Sequence, residues 1–214
     1  MGTDIMENGN VIFDLDGTLY DTEKVSIEAL QTALSEFNIK DVTDDEIRNQ
    51  FGEVTDTIVR NLVPDMGEKF YIGLKEEIKY QEERLIPKKG VLYDGIKDML
   101  DHLDNNGYDL SICSNGRVKY INIVLETTDI EEYFDHIKGN EPGKSKTDQL
   151  RTLLDELGSE KAVTVGDRYH DIEAAKKVGI PSIGAAYGFG REEVESADYI
   201  AEKPWNIVEI VEEI

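Results

Sequence analysis

The pattern of apolar and polar positions changes character twice along this chain. Val11-Ile12-Phe13 is a short apolar run that reads as a buried strand. From about residue 22 to 88 the signals are helical: Ile27, Leu30, Leu34 and Phe37, then Ile58, Val59 and Leu62, then Phe70, Leu74 and Ile78. A Thr43-x-x-Glu46 box before Ile47 predicts a helix start within that block. From residue 89 strands and helices alternate. A helix through Ile96, Met99, Leu100 and Leu103 stops at Asn105-Asn106-Gly107 and gives way to a strand at 108–113. A helix carrying Val118, Ile121 and Leu125 leads to a short strand near 134–138. Leu150, Leu153, Leu154 and Leu157, closed by Gly158, lead to a strand at 162–165; Ile172, Ala175 and Val178, closed by Gly179, lead to one at 181–185. A last strand at 198–200 precedes a terminal helix from about Pro204.

Strands separated by amphipathic helices imply right-handed crossovers and a parallel sheet covered on both faces. The expected fold is therefore α/β, a doubly wound parallel sheet built from residues 1–20 and 89–214. The helical stretch 21–88 is too long for a connection and is expected to be a cap inserted just after the first strand. In such sheets ligands sit outside the carboxyl ends of the strands, where the strand order reverses.

Those ends carry chemistry. The first strand closes in Asp14-Leu15-Asp16-Gly17-Thr18, the second in Ser114-Asn115-Gly116, and the strand through Val163-Thr164-Val165 in Gly166-Asp167-Arg168-Tyr169-His170-Asp171. Asp14 and Asp16 would project to one side of an extended backbone, and two such carboxylates in a low-dielectric site need a cation. Asp167 would meet them across the switch point, and an oxygen-rich carboxylate cluster suits Mg²⁺. Ser114, Asn115 and Gly116 at a helix opening form a candidate phosphate-oxygen site. Gly143-Lys144-Ser145-Lys146-Thr147-Asp148 opens another helix and supplies a lysine as the local positive centre.

Composition limits the partners. With 214 residues and a formal charge of −23, the chain lacks the basic stripe that nucleic acid or anionic lipid would need. No apolar run reaches the length of a membrane span, and the lone Cys113 rules out an internal disulfide and fits a reducing compartment. The opening MGTDIMENGN shows neither a basic nor an apolar leader region, so a cytoplasmic location is expected.

Taken together, Asp14-x-Asp16-Gly17-Thr18, Ser114, a lysine at 144 or 146, and Gly166-Asp167-x-x-x-Asp171 resemble the four motifs of the haloacid dehalogenase superfamily. The stretches Ala186-Tyr187-Gly188-Phe189-Gly190 and Ala197-Asp198-Tyr199-Ile200 are similar to its phosphoglycolate phosphatase branch. The resemblance implies a Mg²⁺-dependent phosphatase acting on a small phosphorylated metabolite through an aspartyl-phosphate. Asp14 would be the nucleophile and Asp16 the acid and base. Ser114 and the lysine would hold the phosphoryl group, and Asp14, Asp167 and the Asp16 backbone carbonyl would ligate the metal. Asp171 and Thr18 would stand behind them, Asp171 orienting the lysine or a metal-bound water. A carboxylate at Asp16 argues for phosphoryl transfer over dehalogenation. The usual third motif, Lys-Pro-x-Pro-Asp, lacks its prolines here; Lys144 has the better spacing to Asp148 and is preferred, while Lys146 sits nearer the helix start.

Other readings share these residues. A β-phosphoglucomutase-like phosphotransferase and a nucleotidase or pyrophosphatase use the same motifs. A receiver-like phospho-acceptor module uses similar acids and a lysine, but with its aspartate on the third strand and without a cap. Cys113 reads as core filling, His170 as an exposed loop residue, and Tyr20 and Arg168 as packing or substrate contacts.

Overall fold

The computed structural model describes residues 9–158 and 161–214, so most of the N-terminal stretch read above for a leader lies outside the described residues. In chain order the elements are β1 (Asn10–Phe13), α1 (Glu23–Glu36), α2 (Asp44–Arg48), α3 (Thr55–Leu62), α4 (Glu68–Lys89), α5 (Ile96–Asn105), β2 (Asp109–Cys113), α6 (Val118–Thr128), β3 (His136–Lys138), α7 (Lys146–Leu157), β4 (Ala162–Gly166), α8 (Tyr169–Val178), β5 (Ser182–Ala185), β6 (Tyr199–Ala201) and α9 (Trp205–Val211). Among the described residues the strands form one parallel sheet in the order β3-β2-β1-β4-β5-β6, with the reversal at β1.

Alternation along β1 shows why the sheet is covered twice. Val11 and Phe13 turn to one face, against Met99 and Leu103 of α5, Ile121 and Val124 of α6, and Val208 of α9. Ile12 turns to the other, with Cys113, against Leu150 and Leu153 of α7 and Ala174 of α8. Cys113 is thus a core filler, and burial pushes its thiol up to about 12. The third strand starts two residues later than its apolar pattern predicts. Residues 131–133 first make a tight helical turn, which swings Phe134 inward to pack edge-on against Phe13 with ring centroids 6.4 Å apart.

Helices α1 to α4 lie between β1 and the rest of the sheet in sequence and gather their own apolar cluster from Leu30, Leu34, Ile47, Phe51, Val59, Leu74 and Ile78. The Thr43 and Glu46 capping box forms as its spacing predicts, with Thr43 accepting from the Glu46 N–H and Glu46 accepting from the Thr43 N–H. Phe189, in the loop after β5, packs at a tilt against Phe51 with ring centroids 4.8 Å apart, seating this helical block over the carboxyl ends of the strands.

Candidate active site

Parallel register brings the motif residues together. Phe13 pairs with Ile112 on one side and Val165 on the other, so the next residues along each strand emerge side by side. Asp14 extends the ladder by one step, its N–H donating to the Val165 carbonyl at 2.8 Å. Its buried carboxylate meets Lys146 Nζ at 2.5 Å, and the same ammonium lies 2.8 Å from Asp171 Oδ1. The preference for Lys144 is corrected here. The chain turns at Gly143, in the left-handed region at φ +81°, and Lys144 pairs on the surface with Glu141 at 2.6 Å. Lys146 is the first residue of α7, with a side chain only 9% exposed. Asp148, whose spacing favoured Lys144, instead completes a reciprocal cap with Ser145 that fixes the start of α7.

Asp167 is wholly buried at the end of β4. It accepts from the Phe189 N–H at 2.8 Å, with the Thr18 hydroxyl at 3.5 Å. Two glycines make that burial feasible. Gly17, at φ +80°, lies so close that a Cβ would sit 2.3 Å from Asp167 Oδ2, and a Cβ on Gly188 would come within 2.4 Å of Asp167 Cβ. Carboxylate oxygens of Asp14, Asp167 and Asp171 lie within 4.8 Å of one another. These are hard oxygen donors with more buried negative charge than one lysine offsets, and that excess fits a divalent cation. Asp171 joins this group through its carboxylate as well as touching the lysine, whereas the Asp16 carboxylate stands apart from it.

Asp16 faces a cavity of about 60 Å³ between the strand ends and the helical block. Its Oδ1 accepts from Thr22 at 2.7 Å and from Tyr120 at 2.6 Å. Ser114, buried beside Asp14 on the cavity wall, accepts from the Gly116 N–H at 3.0 Å. Asn115 also lines the cavity, but its side-chain amide donates to the Gly52 carbonyl of the helical block at 2.9 Å; that donor is engaged in docking the two parts rather than turned to a phosphate. Arg117 and Glu82 form a further wall, paired at 3.0 Å.

Electrostatics follow from the crowding. Burial raises Asp14 to about 7, opposed by Lys146 and reinforced by the charges of Asp171 and Asp16. Burial raises Asp16 too, against the hydrogen bonds from Tyr120 and Thr22. Burial and the neighbouring Asp14 and Asp171 hold Asp167 well above the carboxylate range. Burial works against the charge on Lys146, but Asp14 and Asp171 outweigh it and keep the ammonium protonated. Glu82 is lifted to about 7 by burial, with Arg117 opposing.

Several side chains take roles the sequence did not announce. His170 is no exposed loop residue: it sits in the first turn of α8 with a side chain 24% exposed and meets Glu53 of the helical block at 3.0 Å. Arg168 is buried against Glu193 at 2.8 Å, and Tyr20 is a fully buried packing residue. Tyr120, Glu82 and Arg117 were missed altogether. Gly116, two residues before α6, makes room for Tyr120: a Cβ there would come within 3.0 Å of its ring.

A doubly wound sheet whose switch point carries a lysine-bridged carboxylate cluster defines an α/β enzyme built to handle an anionic group. The model of the haloacid dehalogenase-like hydrolases matches residues 11–185, and the chain belongs to that family. It is 28% identical over 208 residues to a phosphoglycolate phosphatase of Aquifex aeolicus, covering 94% of this chain and 96% of that one. It is 27% identical over 212 residues to the pyrophosphatase PpaX of Listeria innocua, covering 94% and 95%. Its fold superposes with a TM-score of 0.87 on the crystal structure of a predicted phosphatase from Clostridium acetobutylicum, 26% identical, covering 97% and 99%. The enzyme thus stands among the phosphatases of the family. Among the described residues no helix is long and apolar enough to cross a membrane.

Proposed function

We propose that this enzyme hydrolyses a small phosphomonoester through an aspartyl-phosphate on Asp14, with Mg²⁺ in the carboxylate cluster, the helical block 21–88 acting as its cap and phosphoglycolate the first substrate to try. The observation that carries this reading is the placement of Asp14 on the cavity wall, its carboxylate oriented by Lys146 at 2.5 Å, with Asp16 beside it. Asp14 attacks phosphorus; one hard displacement becomes two easier ones. Asp16, held protonated more readily than a surface carboxyl, gives its proton to the departing alcohol and later takes one from the attacking water. Lys146 and Ser114 share the charge that develops on the phosphoryl oxygens. A divalent cation held by Asp14 and Asp167, with the Asp16 carbonyl, would neutralise and position those oxygens. Asp171 acts through Lys146, which it holds at 2.8 Å.

The 28% identity to a phosphoglycolate phosphatase over 94% of this chain supports a compact ester as the first substrate, and a single cysteine, Cys113, fits a reducing, cytosolic setting. The test is phosphate release from a panel of phosphoglycolate, glycerol 3-phosphate, sugar phosphates, nucleotides and pyrophosphate, with Mg²⁺ and with EDTA. Metal-dependent turnover of a small ester is expected. Preference for pyrophosphate, or conversion of glucose 1-phosphate to glucose 6-phosphate without release, would replace this reading with a pyrophosphatase or a mutase.

A further inference from the structure

We propose that Tyr120 is a positioning residue for acid catalysis: it fixes Asp16 so that one carboxyl oxygen alone exchanges protons with the substrate. The inference rests on the phosphatase reading above and adds a residue to it. Both hydrogen bonds to the Asp16 carboxyl fall on the same atom. The Thr22 hydroxyl donates to Oδ1 at 2.7 Å and the Tyr120 hydroxyl at 2.6 Å, while Oδ2 takes no hydrogen bond from a described residue. An oxygen already accepting two short hydrogen bonds is the weaker base of the two, so the proton of the acid form resides on Oδ2. The two donors come from different parts of the fold, Thr22 from the entry to α1 and Tyr120 from α6 of the sheet domain. Between them they fix both the position and the roll of the carboxyl group.

Tyr120 does more than fill the core. Its ring is buried, yet its hydroxyl reaches the cavity wall, and Gly116 in the Ser114-Asn115-Gly116 turn leaves the space that the ring occupies. Tyr20 is the contrast: also buried, its hydroxyl finds no hydrogen-bond partner among the described residues, and its ring serves packing. In the first half-reaction the bond from phosphorus to the ester oxygen breaks as the bond to an Asp14 oxygen forms. The proton on Asp16 Oδ2 passes to the departing oxygen, and Asp16 is left as a carboxylate whose new charge the two hydroxyls stabilise. In the second half-reaction Oδ2 takes a proton from the water that attacks the aspartyl-phosphate.

The role is tested by leaving-group dependence in Tyr120→Phe, which keeps the ring and removes only the hydroxyl. Alkyl esters need a proton on the departing oxygen, whereas p-nitrophenyl phosphate releases a stable phenolate that needs almost none. With the better turned over of phosphoglycolate and glycerol 3-phosphate, kcat/KM, which reports only the first half-reaction and so omits hydrolysis of the common aspartyl-phosphate, should fall about 10- to 100-fold, part of the ~10²–10⁴ that a general acid supplies. The loss with p-nitrophenyl phosphate should be at least about tenfold smaller. Thr22→Val, which removes the other donor, should show the same bias. Equal losses of kcat/KM on alkyl and aryl esters, or none on either, in a wild type active with both would overturn the positioning role and leave the phosphatase reading intact. A wild type inert toward all three esters would overturn the phosphatase reading itself.

Discussion

Replacing Lys146 with methionine removes a charge that two buried carboxylates share, and its effect can be worked out from the structure. Lys146 lies 2.5 Å from Asp14 and 2.8 Å from Asp171, with all three side chains less than a tenth exposed. At an effective dielectric of about 20, each pair is worth about 6 kcal/mol of Coulomb attraction, much of which offsets the cost of burying the ions. Removing the lysine while both carboxylates stay buried should therefore lower stability by about 3–5 kcal/mol in EDTA at mildly alkaline pH. Loss of a donor to the developing phosphoryl charge should lower kcat by about 10²–10³-fold. Lys144→Met is the matched control, because its partner Glu141 is on the surface and both side chains are more than 40% exposed. It should leave the denaturation midpoint and kcat unchanged. Urea unfolding in EDTA and steady-state phosphate release with Mg²⁺ would measure both variants. If Lys144→Met lost activity while Lys146→Met kept it, the assignment of the motif lysine would be refuted.

Further outcomes follow from the same cluster. Without metal, burial holds Asp14 near 7 and keeps Asp16 and Asp167 above their ordinary range, so the folded chain binds protons more tightly than the unfolded one. The stability they contribute is therefore full in acid and lost as pH rises through about 7; in EDTA, Tm should fall over this window, and Mg²⁺ should restore most of the loss on the alkaline side. A metal-free Tm that climbs through neutral pH would contradict this. Gly17→Ala should cost more than the ~1–3 kcal/mol of a strained positive φ, because its Cβ meets Asp167, and calorimetry should show Mg²⁺ binding weakened with it. Gly143→Ala, at a similar φ but with open space around it, should cost only the strain and bind Mg²⁺ as wild type does.

What the sequence revealed depended on how local the cause was. Val11-Ile12-Phe13 was legible as a strand because three apolar residues ending in two carboxylates leave little else to be, and the acidic ends of β1 and β4 implied a shared site through the logic of parallel sheets. The choice between Lys144 and Lys146 failed for a local reason that the sequence also held. Ser145-x-x-Asp148 is a capping pattern that makes Lys146 the first helical residue, and counting back from Asp148 as a motif position outweighed that nearness to the helix start. Tyr120 and Glu82 were hidden more deeply. The helix was read through Val118, Ile121 and Leu125, and the hydrogen bond that gives Tyr120 a role spans 104 residues. The contact of His170 with Glu53 spans 117 and arises only where the helical block meets the sheet, so no pattern near either residue reports it. Asn115 was read as a phosphate ligand because it follows Ser114 at a helix opening; the facing Gly52 carbonyl, which claims its amide, comes from the helical block.

The most direct measurement is mass spectrometry of peptides from enzyme quenched in acid during turnover of its best phosphate ester, with Asp14→Asn in parallel. The expected result is one added phosphoryl group on the peptide containing Asp14 in the wild type, and none in Asp14→Asn, which should be folded but inactive. A phosphoryl group on another residue, or full turnover by Asp14→Asn, would contradict covalent catalysis at the end of β1.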